Sequence, residues 1–247
     1  MTLDFWAKTS GTWMNAGTVF LGTGLGLLLR GRLPLPMQQI ITQAVALITF
    51  FLGITMAGSL LKVQAGRVDG IILGLLSLVL GGMLGEWGQV EERLKAIGDW
   101  LKKRFRGGGA FTEGFVAASL LFCVGPMTLL GSLNNGLTGD SALLTLKAVM
   151  DGLTSIALTS SFGIGVGFSI LIILCYQGGI SLAAGLLASS LPDPATHPQV
   201  LLLTGVGGLM ILGIGFGLLE VARVRVASFL PALVLAPLLF WLADWLS

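Results

Sequence analysis

The sequence predicts an all-α integral membrane protein of about eight spans. Three observations carry this. Charged residues make up only 11% of the 247 positions, against roughly 25% in a soluble domain, so no water-soluble surface can be assembled from them. The mean hydropathy is +0.92, and apolar stretches recur at roughly the 20-residue length that crosses a bilayer core as helix. Strand-like alternation of apolar and polar residues is missing, which excludes an outer-membrane barrel. The 37 glycines fit the same reading, because helices in lipid associate by close backbone approach at small residues.

The spans fall at about 11–29, 38–61, 68–84, 110–132, 142–160, 163–190, 200–220 and 228–246. Their loops alternate in charge. Arg30, Arg32, Arg93, Lys95, Lys102, Lys103, Arg104, Arg106, Arg223 and Arg225 fall on one side, and Lys8, Lys62 and Arg67 on the other. The excess of Lys and Arg places the first set in the cytoplasm and both termini outside, as expected of a multi-pass protein. Trp6, Trp13, Trp241 and Trp245 then mark the outer interface, with Trp87 and Trp100 at the inner one. The start Met1-Thr2-Leu3-Asp4 lacks the basic region of a cleavable signal.

Four segments follow in chain order: 1–85 as a first three-span repeat, 86–109 as an amphipathic interfacial helix and linker, 110–191 as a second three-span repeat, and 192–247 as two further spans. The stretch Glu86–Arg106 holds ten of the 26 charged residues, with Val90, Leu94, Ile97, Leu101 and Phe105 at helical spacing. That pattern lies on a membrane surface, as an anchor joining two halves or as a regulatory segment. Gln43-Ala44-Val45 aligns with Lys147-Ala148-Val149 at the same offset that aligns Gly74, Ser77, Leu78 and Gly81 with Gly178, Ser181, Leu182 and Gly185. The two triplets start on opposite sides, so they would form the inverted repeat common among secondary transporters. A parallel match relates Gly17–Leu28 to Gly208–Leu219, with glycines in register.

Polar groups at membrane depth point to function. Lys147 and Asp151 stand four residues apart near the middle of the fifth span, where they can pair on one face; such a carboxylate can ligate a sodium ion or take a proton. Thr154 and Ser161 continue the stripe. The fourth span contains Phe122-Cys123-Val124-Gly125-Pro126-Met127-Thr128. Its proline removes a donor and frees a carbonyl near position 122, and broken helices of this kind use freed carbonyls as cation ligands. Glu113 begins that span, and Asn134 follows it, with Asn135, in the outer loop. Tyr176-Gln177-Gly178-Gly179 reads as an interruption of the sixth span, and Asn15 is a further polar candidate in the first. Both polar readings have plainer counterparts, a Lys–Asp pair that only locks helices and an ordinary proline kink.

Enzymes fit poorly. The single histidine, His197, lies in a Pro-rich loop, which removes intramembrane zinc and Ser–His chemistry, and Gly136-Leu137-Thr138-Gly139-Asp140 has the wrong spacing for an aspartyl protease. Cys123 and Cys175 lack zinc spacing, and no phosphate-binding loop is present. No cofactor and no nucleic-acid partner are expected. The expectation is a secondary transporter or channel for a small cation, sodium before proton, with Asp151 as ligand, Lys147 as counter-ion, and the Cys123–Pro126 carbonyls completing the shell. Glycine-rich faces would suit a homodimer. A scaffold or signalling protein, or a carrier of an organic or anionic solute, are the alternatives.

The stretch Phe111–Gly139, followed by Lys147–Gly152, resembles the YqgA/YdfK-like group of uncharacterised bacterial membrane proteins. Gly11–Gly17, Gly81–Trp87, Tyr176–Gly179 and Val226–Leu233 fit the same resemblance, which covers nearly the whole chain. It implies a polytopic membrane protein. A sodium channel or pump and a loose link to biofilm behaviour have been suggested for that group, whose function is not established. Within its motif Glu113, Asn134, Lys147, Asp151 and Gln177 are the positions expected to matter.

Overall fold

The computed structural model describes residues 4–30, 34–123, 126–187 and 197–246. Its helices are α1 (Phe5–Leu29), α2 (Leu35–Ala57), α3 (Gly70–Trp87), α4 (Val90–Arg104), α5 (Phe111–Cys123), α6 (Pro126–Thr138), α7 (Ala142–Phe162), α8 (Ser169–Leu187), α9 (Pro198–Leu218) and α10 (Leu230–Trp245). Among the described residues seven helices are long and apolar enough to cross a membrane, and α5 with α6 form a bent pair at 69°. The surface is apolar and the interior carries the amides. Phe20 is 69% exposed and Phe51 66%, whereas Asn15, Asn135 and Gln177 are at 0%. This inversion suits a lipid solvent, in which apolar side chains cost nothing at the periphery.

The chain divides into two compact units. In the first (residues 1–45 and 95–192) α1 and α7 run parallel along a seam of small residues. Gly11 lies against Leu144, Gly22 against Gly152 and Ser155, and Gly26 against Ile156 and Thr159. Spacing of four and eleven residues keeps these glycines on one helical face, and no side chain fits between the backbones. Thr18 Oγ1 ties the seam by donating to the Ala148 carbonyl at 2.7 Å.

The same unit holds the bent pair. Gly165, in the turn after α7, packs on the Phe111 backbone, so α5 starts beside the end of α7. At the other end Asn135 of α6 bonds to the first turns of α1. Since α1 and α7 are parallel, this arrangement fits α5 and α6 as one broken crossing, which gives up to eight spans among the described residues. Phe122's carbonyl, freed at the break, accepts from Thr128 Oγ1 at 3.3 Å. That local hydroxyl takes one of the carbonyl's two acceptor positions. Gly125 lies outside the described residues, and Pro126 opens α6, where its missing N–H costs nothing.

A correction concerns the sixth span. Tyr176–Gly179 is not an interruption: α8 is continuous from Ser169 to Leu187. The chain breaks earlier, at Gly163 (φ +84°), which ends α7 and leads through a 3-10 turn, Ile164–Phe168, into α8. Gly178 and Gly179 cost only about 1 kcal/mol each as helical residues, which packing absorbs. A positive φ is a stronger reason for glycine.

The second unit (46–94 and 193–247) is built from antiparallel contacts. Gly53 of α2 faces Leu212 of α9, Gly208 meets Ala57, and Phe50 packs edge-on to Phe216 at 4.9 Å. α3 and α10 close on each other where Gly81 faces Ala232 and Gly85 faces Ser228. A two-residue hairpin pairs Gln64 with Asp69 and Ala65 with Val68 ahead of α3. The two glycine runs that match in sequence thus serve separate units, α1 in the first and α9 in the second. The first unit joins α1 of the first predicted three-span segment to all the helices of the second, and the second unit joins the rest of the first segment to the last two spans. Arg32 and Asp193, used for the charge count and the loops, lie outside the described residues.

Candidate functional site

The first unit places a polar chain at membrane depth. Asn15 is ten residues into α1, Asp151 nine into α7 and Gln177 eight into α8, about 12–15 Å along each helix at 1.5 Å per residue. That is half the ~30 Å thickness of a hydrocarbon core. Lys147 and Asp151, one turn apart, form an ion pair through Lys147 Nζ and Asp151 Oδ2, 6% and 7% exposed respectively. Asn15 Nδ2 donates to the same carboxylate oxygen at 2.9 Å and to Gln177 Oε1 at 3.0 Å. Gln177 Nε2 reaches Thr12 Oγ1 at 3.4 Å. The chain therefore runs from Lys147 to Asp151, through Asn15 to Gln177, and ends at Thr12.

Its electrostatics are constrained. One cation and one anion sit together in a low dielectric, where desolvating each costs several kcal/mol and only close pairing with further hydrogen bonds repays it. The carboxylate has both kinds of partner, an ammonium and an amide. The oxygen Asn15 Oδ1 is completely buried and has no hydrogen-bond partner. An orphaned amide oxygen beside a carboxylate is an acceptor waiting for a donor, a water or a cation. Cys123, the last residue of α5 before the break, is buried. Three crossings of the unit, α1, α7 and α8, thus contribute to one layer.

Asn135 forms a second buried contact nearer the start of α1. Its Oδ1 accepts from the Gly11 amide at 3.0 Å and its Nδ2 donates to the Ala7 carbonyl at 3.0 Å and to Ser10 Oγ at 3.0 Å. Gly11 and Ala7 are the two groups that an α-helix pairs with each other. A side-chain amide engaging that rung clamps α6 to α1 one turn before Thr12. Replacing Asn135 by leucine should lower stability by about 1–3 kcal/mol, the sum of the inter-helix hydrogen bonds lost, read as a fall in the unfolding temperature of the purified protein.

Other residues anticipated from the sequence lie elsewhere. Thr154 is half-buried one turn past Asp151. Ser161 is ten residues beyond Asp151, about 15 Å along the helix, and its hydroxyl meets Thr42 Oγ1 at 2.5 Å; it does not join the polar chain. Glu113 is exposed in the first turn of α5, where a carboxylate suits the helix dipole. Asn134 is half-buried, and the contact with α1 is made by its neighbour Asn135. Thr12 and Asn135 escaped notice as site residues in the sequence. Thr12 stands three residues before Asn15, one face-sharing step, and that spacing is the signal that could have found it. Among the described residues no three His, Cys, Asp or Glu side chains gather as a metal cluster.

Comparison with known proteins follows the same lines. A family model described as "Protein of unknown function (DUF554)" matches residues 10–241. The chain is 29% identical over 231 residues to "Uncharacterized membrane protein YdfK" of Bacillus subtilis (strain 168), covering 94% of this chain and 95% of that one. It is 30% identical over 233 residues to "Uncharacterized protein YqgA" of Escherichia coli (strain K12), covering 92% and 94%. No solved structure matches it.

Proposed function

The chain belongs to the family described as "Protein of unknown function (DUF554)", and from its polar centre we propose that it moves a small cation across the membrane, as a secondary transporter or channel, with sodium favoured over proton. The observation that carries this is the Lys147–Asp151 pair at membrane depth, joined to Asn15, whose Oδ1 is left without a partner. A cation arriving at Asp151 competes with the Lys147 ammonium for one carboxylate. Asn15 Oδ1 supplies an oxygen to the incoming ion, and Gln177 Oε1 and Thr12 Oγ1 stand next along the chain. Oxygen donors of this kind suit a hard ion. For the centre to stay neutral, as a low dielectric requires, the displaced Lys147 ammonium has to swing out of the layer as the cation enters.

The basic ends of the spans face the cytoplasm in this reading, by the excess of Lys and Arg there, and the host is a bacterial plasma membrane. The test is flux into proteoliposomes of purified protein under sodium, potassium and proton gradients. Sodium-driven flux is expected. No flux of any cation from well-folded protein would overturn the proposal and favour a scaffold or a carrier of organic solutes. Asn15→Ala should raise the sodium concentration for half-maximal flux about tenfold, because a lost hydrogen bond or ligand contact to a charged group is worth about 1.5 kcal/mol.

A further inference from the structure

Helix α4 is fastened to the start of a membrane span. Thr112 Oγ1 donates to Asp99 Oδ1 at 2.6 Å, and Lys102 Nζ donates to the Gly109 carbonyl at 2.8 Å. A Cβ on Gly98 would stand 3.0 Å from Thr112 Cγ2 and 3.2 Å from Phe115 Cδ1. Phe105 and Phe111 both pack on Phe168, with centroids 4.7 and 5.2 Å apart from it. The middle of α4 therefore sits at the depth of the first turn of α5. It lies along the boundary of the membrane, since a helix projecting into water would touch α5 only at one end.

Beside Gly98 and Leu101, which are turned to the protein, Ile97 (49% exposed) and Trp100 (62%) share an exposed flank of α4, three residues apart. Lys103 and Arg104 follow one turn later and are exposed. An indole and an aliphatic side chain beside two cations form the pattern of a helix whose apolar edge enters the acyl boundary while its charges meet phosphates. Many of the chain's other basic residues, Arg30 and Arg106 among them, fall on the same side of the predicted topology, so the local surface attracts anions. We propose that this face of α4 is a binding surface for anionic phospholipid headgroups of the cytoplasmic leaflet, with Trp100 inserted and Lys103 and Arg104 contacting phosphate.

The experiment uses the full chain in phosphatidylcholine vesicles containing either brominated phosphatidylglycerol or the same fraction of brominated phosphatidylcholine. The readout is the tryptophan quenching that W100F removes. That component should be quenched about twofold or more strongly by the brominated anionic lipid. The excess should vanish in K103Q/R104Q and in high salt, where surface charge is screened. Equal quenching by the two lipids would overturn the proposal. A W100F protein quenched like the wild type would overturn it too, because the face would then be turned to water or to a protein partner. Both variants change exposed side chains, and unchanged unfolding temperatures confirm that the fold is intact. This result is independent of whether the polar centre transports anything.

Discussion

Replacing Lys147 with methionine is expected to destabilise the protein by about 3–5 kcal/mol, the range for removing one partner of a buried ion pair. Asp151 would keep the Asn15 amide and lose the ammonium that balances its charge. The double variant Lys147→Met/Asp151→Asn should recover most of the loss. Its asparagine can still accept from Asn15, and no net charge is stranded. Thermal unfolding in one detergent compares the wild type, both single variants and the double. A double variant no more stable than its worse single parent would show that the pair is not the coupled unit its geometry describes.

The second large effect lies on the α1–α7 seam. A Cβ on Gly22 would run into the Gly152 carbonyl and the Ser155 hydroxyl, whereas one on Gly24 meets nothing within 4 Å. Gly22→Leu should therefore part the two helices at the level of the polar centre. Overpacking of this kind costs about 1–3 kcal/mol where neighbours can give, and more here because the obstacle includes backbone. Folded yield by size-exclusion chromatography should collapse for Gly22→Leu and stay near wild type for Gly24→Leu. Equal yields would mean that the seam is not packed as described.

Much of this was legible in the amino acids. Charge scarcity and apolar runs give up to eight crossings, and the Pro126 break falls where the missing donor puts it. Lys147 and Asp151 announce themselves because ionisable groups in a span are rare. What was not legible depends on helix phase and neighbours. Asn15 looks like any small amide until α7 and α8 place Asp151 and Gln177 against it. Asn134 and Asn135 are equivalent in sequence, and only the approach of α1 selects the second. Gly163 and Gly178 are both glycines in apolar surroundings. The left-handed backbone of the first, which ends α7, leaves no trace in residue identity. The freed carbonyl at Phe122 was anticipated, but a hydroxyl six residues on takes one of its two acceptor positions, a local bond that only the bend creates.

The central claim is that the buried pair exists for ion movement. The most direct measurement is sodium flux through Lys147→Met/Asp151→Asn in proteoliposomes, set against wild type at equal amounts of folded protein. The account predicts a well-folded double variant with flux reduced to the level of empty vesicles. Flux equal to wild type would contradict it and leave Lys147 and Asp151 as a lock between helices.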